Sequence, residues 1–172
     1  MRAMAIPALA TMLMAGCATV PTGAAGVSSP LILADGRQVG TVRVVDTPLG
    51  IEVRIAAAGF AAGPLGVHLH AVGKCEVPGF TSAGPHWNPA ATQHGHLNPQ
   101  GPHGGDLGNL AVIAPGGKVR ATLSVPGARL RDGAAPLIDA DGAALVIHAR
   151  ADDERTDPSG NSGDRIACAV LL

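Results

Sequence analysis

An all-β fold, an antiparallel sandwich or barrel, is what the sequence predicts, on three observations. The 172 residues include 24 Gly and 14 Pro, a load that disfavours a bundle of helices because both residue types weaken helix interiors. No window carries a long apolar stripe at helical spacing, whereas several short runs alternate apolar and polar residues. Gly, Pro and Asp pairs then separate these runs at turn positions.

Taken in order, the runs are Gln38 to Val45, Ile51 to Ala56, Gly66 to His70, Leu110 to Ile113, Val119 to Val125, Ala144 to His148 and Ile166 to Leu171. Thr41-Val42-Arg43-Val44 and Ile51-Glu52-Val53-Arg54-Ile55 show strict alternation, which marks strands with one face in a core and one in water. Asp35-Gly36, Pro115-Gly116-Gly117, Pro126-Gly127 and Asp141-Gly142 supply turns between runs. Two stretches break the rhythm: Ala71 to Asn109, rich in His, Gly and Pro, and Ala149 to Arg165, rich in Asp and Gly. A loop of that first length is uncommon inside a compact domain. A bound metal and a disulfide at Cys75 are expected to order it, in place of a hydrophobic core.

With no Tyr, one Trp and two Phe, the core must be built from small aliphatic residues. The formal charge of -1, from 12 basic and 13 acidic residues, gives no general attraction to nucleic acid. Residues 1–16 read as a secretory signal, with Arg2 followed by an apolar run too short to span a membrane. Ala15-Gly16-Cys17 resembles a bacterial lipobox. Cys17 would then be lipidated, residues 17–30 would form a tether, and the folded domain would run over 31–172. The alternative is an ordinary signal peptide with an incidental Cys17. With Arg2 removed, the mature charge is -2, and a lipid-modified Cys17 leaves Cys75 and Cys168 to pair in an oxidising compartment. Two buried free thiols are the competing reading.

Six of the seven histidines fall between His68 and His103. The strand period of two puts His68 and His70 on one face, with Val67 and Leu69 on the other, so both imidazoles can share one ion. His86, His94, His96 and His103 follow. His103-Gly104-Gly105-Asp106 then places two glycines where the backbone must fold for both end residues to meet one ion. His148 ends an apolar strand, as either a satisfied core group or a ligand. All-imidazole coordination suits copper and zinc, and a His-and-Asp tetrahedral set suits zinc.

The segments Gly66–His70, Thr81–Pro89, His94-Gly95, His103–Asn109, Leu145–Asp153 and Gly160–Cys168 resemble the copper/zinc superoxide dismutases over nearly everything from Leu31 onward. The resemblance implies a Greek-key antiparallel β-barrel or sandwich of about eight strands with long metal-binding and electrostatic-type loops, an architecture the family shares with immunoglobulin-like sandwiches. It implies copper on His68, His70, His86 and His148, and zinc on His86, His94, His103 and Asp106. His86 would bridge the two ions. Asp152 matches the carboxylate that links the two sites, Arg165 the arginine beside copper, and Cys75 with Cys168 the family disulfide. His96 has no counterpart; it is expected to be a solvated loop residue, the other reading being a substitute for His94.

The implied activity is dismutation of superoxide to oxygen and hydrogen peroxide. Copper would cycle, His86 would carry a proton, and Arg165 would anchor the anion through a planar fork that Lys lacks. The Cys75-to-His86 spacing is closer to bacterial exported members, which implies a periplasmic or envelope protein, monomeric or homodimeric. The His148-to-Arg165 segment is short and contains no Lys. Arg155 and Arg165 face Asp152, Asp153, Glu154, Asp157 and Asp164 there, so strong electrostatic steering is not expected. Two other classes compete: a copper store or delivery module without turnover, and a zinc-only hydrolase with an open coordination position.

Overall fold

In a computed structural model, which describes residues 26–113 and 116–172, the chain forms eight strands. They are β1 (Gly26–Leu33), β2 (Gln38–Thr47), β3 (Gly50–Ala57), β4 (Gly63–His70), β5 (Asp106–Val112), β6 (Val119–Pro126), β7 (Ala143–His148) and β8 (Arg165–Leu171). A single 3-10 turn, Thr81–Ala83, is the only helical element among the described residues.

All pairings are antiparallel, in the spatial order β5-β4-β7-β8-β1-β2-β3-β6. The end strands β5 and β6 are joined by the Ile113–Lys118 bridge, which leaves the barrel nearly closed. Consecutive strands β3 and β4 are not neighbours, and neither are β6 and β7. Each pair is linked across the end of the barrel, which makes the topology a Greek key.

Alternation places the core as expected. Val42, Val44, Val53 and Ile55 are buried while Arg43 and Arg54, paired in register between them, face out. Val67, Leu69, Leu145 and Ile147 bring the opposite half of the barrel into the same core, and aliphatic residues dominate it. Each such side chain, fully buried, contributes roughly 1.5–3 kcal/mol of transfer free energy, so many small contributions replace a few aromatic ones.

Two expectations need correction. The boundary expected at residue 31 falls inside β1, because Gly26 to Pro30 pair with Val45 to Thr41 of β2. This half of β1 pairs on one side only, since β8 meets just Ile32 and Leu33; an edge position tolerates Pro30, which has no N–H to donate. The second correction concerns the long loop after β4. It has an apolar cluster of its own, in which Phe80 and Ala83 pack on Ala144, Val146 and Cys168 on the outer face of β7 and β8. The disulfide Cys75–Cys168, with Cα atoms 5.8 Å apart, pins the same loop to β8. The expected signal at 1–16, the segment 17–25 and Cys17 lie outside the described residues.

Candidate metal centre

His68 and His70 leave β4 on the face opposite Val67 and Leu69, and all four are buried. The loops cover this outer face. Trp87 N–H donates to Leu69 O at 2.8 Å, and Leu69 N–H donates to Gly105 O at 2.8 Å, which brings His86 and the His103–Asp106 segment onto β4. The two glycines matter here through close approach. A Cβ on Gly104 would stand 2.5 Å from the Trp87 ring, and one on Gly105 would stand 3.0 Å from Trp87 N. Asp106 opens β5 opposite His68, and His148 closes β7 opposite Arg165.

Two groups of ligand atoms result. One atom each from His68, His70, His86 and His148 lie within 4.8 Å of one another, and so do one each from His68, His86, His94 and Asp106. His103 belongs with the second group by direct distance: its Nδ1 is 3.3 Å from His86 Nδ1 and 3.3 Å from Asp106 Oδ1. His86 Nδ1 and His94 Nδ1 lie 2.9 and 3.0 Å from the same Oδ1. A tetrahedral ion with bonds of about 2.0–2.1 Å has donor atoms about 3.3 Å apart, so these four donors are nearly at ligand spacing. His68 does not complete that second set, because its Nε2 is engaged by Asp152 Oδ2 at 2.7 Å.

The first group shows its purpose through what its atoms lack. His68 Nδ1, His70 Nε2, His86 Nε2 and His148 Nε2 are buried with no hydrogen-bond partner, an arrangement that costs stability at each atom unless something binds there. The opposite nitrogens are all engaged. His70 Nδ1–H donates to Gly84 O at 2.8 Å, His148 Nδ1–H donates to Gly163 O at 3.0 Å, and His68 Nε2–H donates to Asp152. Outer partners thereby fix each tautomer and aim the unpartnered lone pair inward. Four converging neutral imidazoles are a donor set that suits copper, and three Nδ1 atoms with a carboxylate suit zinc.

Asp152 links the groups. Its Oδ2 accepts from His68 and its Oδ1 from His94 Nε2 at 3.0 Å. Two features went unread in the sequence. Asn109 clamps the Asp152 backbone in both directions, at 2.8 and 2.9 Å; it lay in the motif beginning at His103, but only the structure reveals this reach across 43 residues. Gly160, at φ 60°, is the second. A Cβ there would run into the Asp152 carboxylate and come within 2.7 Å of His94 Nε2. Arg165 is tied by Nη1 to Phe80 O and by Nη2 to Gly84 O, each at 2.9 Å. His96 is exposed, 3.4 Å from Glu154, and outside both groups.

Burial sets the proton affinities of the metal-free groups. It pushes His68 down to about 3, His70 to about 2 and His148 to about 4, and it lowers His86 as well. These imidazoles are neutral at pH 7 and so available as donors. For His94 burial also opposes charge, but the bonds to Asp106 and Asp152 outweigh it and raise the ring to about 9. Burial works against both carboxylates too, yet their histidine partners hold Asp106 and Asp152 below the usual carboxylate range. A cleft of about 630 Å³, lined by His86, His103, His148, Asn88, Thr92 and Arg165, opens this region to solvent.

The sequence pattern that defines the copper/zinc superoxide dismutase (SODC) family matches residues 38–171. The chain belongs to the copper/zinc superoxide dismutase family. A superoxide dismutase-like protein of Bacillus subtilis, YojM, is 41% identical over 156 residues, covering 89% of this chain and 79% of that protein. The superoxide dismutase [Cu-Zn] of Caulobacter vibrioides is 39% identical over 140 residues, 80% of each chain. Among solved structures, a dismutase-like protein of Bacillus subtilis superposes with a TM-score of 0.80 at 40% identity, covering 84% of this chain and 97% of its own. The Cu/Zn superoxide dismutase of Brucella abortus gives 0.66 at 28% identity, covering 86% and 100%. The family uses copper and zinc, and both donor sets found here fit that pair of metals.

Proposed function

We propose that the chain dismutates superoxide to oxygen and hydrogen peroxide, with His68, His70, His86 and His148 holding copper and His86, His94, His103 and Asp106 holding zinc. The observation that carries this reading is the convergence of four buried, unpartnered imidazole nitrogens beside a histidine-and-carboxylate set that shares His86. When bound, copper supplies a centre that accepts an electron from one superoxide and returns it to the next, and zinc, without redox chemistry, fixes geometry.

The remaining work belongs to the chain's own residues. Arg165 lines the cleft with its fork held by two carbonyls, so the guanidinium is oriented before an anion arrives; charge-assisted hydrogen bonds from its remaining N–H groups would hold the substrate. His86 reaches the same cleft and its Nε2 has no protein partner, which makes it the atom where a proton can be held for the departing peroxide. Asp152 keeps the proton of His68 and of His94 on Nε2, so both rings offer Nδ1. Closed packing of the loops over β4 buries His68 and His70 fully, and the cleft beside Arg165 reaches His86 and His148.

The proposal extends to an exported, envelope-located protein anchored through Cys17. The disulfide and the apolar run before Cys17 support it. A second reading, a copper- and zinc-binding protein without turnover, draws on the dismutase-like name of the Bacillus relative. Electron paramagnetic resonance with metal analysis on wild type and His148→Ala separates the readings when run beside a superoxide assay. Dismutase function predicts nitrogen-coordinated Cu(II) and activity that both change in the variant. Stoichiometric copper with no superoxide loss in wild type points to the binding protein.

A further inference from the structure

We propose that Asp157 is a positioning residue for the zinc set, holding the His94 backbone N–H directly and setting its charge opposite the far nitrogen of His103. This inference rests on the reading that His86, His94, His103 and Asp106 hold zinc. Asp157 belongs to the loop between β7 and β8, 54 positions beyond His103, and its Oδ1 faces two parts of the zinc loop at once. It accepts the His94 backbone N–H at 2.7 Å, and it lies 3.7 Å from His103 Nε2.

The ring geometry gives the contact its meaning. His103 Nδ1 is the nitrogen turned toward His86 and Asp106, so the ring can serve as a ligand only if its proton resides on Nε2. At 3.7 Å the carboxylate is beyond hydrogen-bond length and acts through its charge, which favours the proton on Nε2 and leaves Nδ1 free to ligate. With Asp152 on His94 and Asp157 on His103, both histidines that serve zinc alone have a carboxylate at the far nitrogen. His86, whose far nitrogen faces the other metal set, has none there.

The backbone contact adds a second effect. Because Asp157 fixes His94 N–H, it helps tie together two loops that also meet through His94 and Asp152, Leu97 N–H to Glu154 O at 2.9 Å and Asn98 Nδ2–H to Arg155 O at 3.3 Å. Asp157 also lines the cleft with His86, His103 and Arg165. Zinc-loop order and the shape of the anion cleft are therefore coupled through one side chain. Its neighbour Asp153 is a control, since its carboxylate bonds only within its own loop, to Arg155, Thr156 and Asn161.

The test is zinc affinity of the full chain, measured by competition with a chromophoric chelator, together with the visible spectrum of protein carrying cobalt(II) in place of zinc. The chains compared are wild type, Asp157→Ala, Asp157→Asn and Asp153→Asn. Loss of an outer-shell partner costs roughly 10–100-fold in metal affinity, and that loss is expected for Asp157→Ala. Asp157→Asn, which keeps an acceptor for His94 N–H and the same shape, is expected to lose less and to shift the cobalt spectrum. Asp153→Asn is expected to bind zinc as wild type does. Wild-type affinity in both Asp157 variants overturns the inference, and so does an equal loss in Asp153→Asn. A wild-type chain that takes up no zinc overturns the metal reading and this inference with it.

Discussion

His86 is where the two donor sets meet, with Nδ1 beside Asp106 and Nε2 unpartnered among His68, His70 and His148. Around it, each imidazole is oriented by a partner on its far side, and these partners are as diagnostic as the histidines themselves. Arg165 follows the same logic, since two of its nitrogens are spent on Phe80 O and Gly84 O to aim the rest. Lys cannot hold two carbonyls and an anion from one planar group. Arg165→Lys is expected to lower kcat/KM for superoxide by about tenfold or more, the equivalent of one charge-assisted hydrogen bond, with metal content unchanged. The metal-free chain carries a further prediction. His68, His70 and His148 stay neutral in the fold down to about 3, 2 and 4, whereas in the unfolded chain they titrate near 6.5. Below about pH 6.5 the unfolded state therefore binds more protons, and stability falls as pH falls. His94, raised to about 9, works in the opposite sense: its stabilisation is complete below about 6.5 and is lost as pH rises through 9. Thermal melts in the presence of chelator should peak near pH 6.5 and decline on both sides. A plateau from pH 4 to 6 contradicts the burial argument.

At the scale of elements, all seven runs read from alternation and turn residues became strands, at β2 through β8. They were legible because one face of each meets the core and the other meets water or a loop. β1 is the strand that no run announces, and its first half falls in the expected tether, since Gly26-Val27-Ser28-Ser29-Pro30 has the composition of a linker and is held by pairing with β2 on a single side. A chain beginning at Leu31 should melt below one beginning at Gly26, because the ladder to Thr41–Val45 is removed; equal melting temperatures would show that this half of β1 adds nothing. The packing of the loop after β4 is hidden for a related reason. Phe80 is one aromatic residue in a Gly- and Pro-rich stretch, and no periodicity announces that it is fully buried against Val146 and Ala144. The site residues stood out more clearly because histidines are few and their spacing within β4 obeys the strand period. Asn109 and Asp157 act across 43 and 63 residues. Contacts of that span leave no local signature.

For the whole molecule, the small-aliphatic composition suits a barrel whose loops are fastened by a disulfide and a satellite cluster and whose centre is completed by metals. The chain carries a formal charge of -1, so attraction of an anionic substrate depends on Arg165 at the cleft, with Asp157 on the same lining. Such a local field is short in range. The dismutation rate constant is expected to change by less than about threefold when ionic strength rises from about 0.01 to 0.15 M, over which the screening length shrinks from about 30 to 8 Å. A steep fall would reveal long-range steering that these charges do not provide. The central claim is that two donor sets sharing His86 hold copper and zinc for the dismutation of superoxide. The most direct test is the timed loss of superoxide with the purified chain loaded with one copper and one zinc, with and without cyanide. Rapid, cyanide-sensitive loss that follows copper content is the predicted result; superoxide decay no faster than in buffer, with both metals bound, would contradict it.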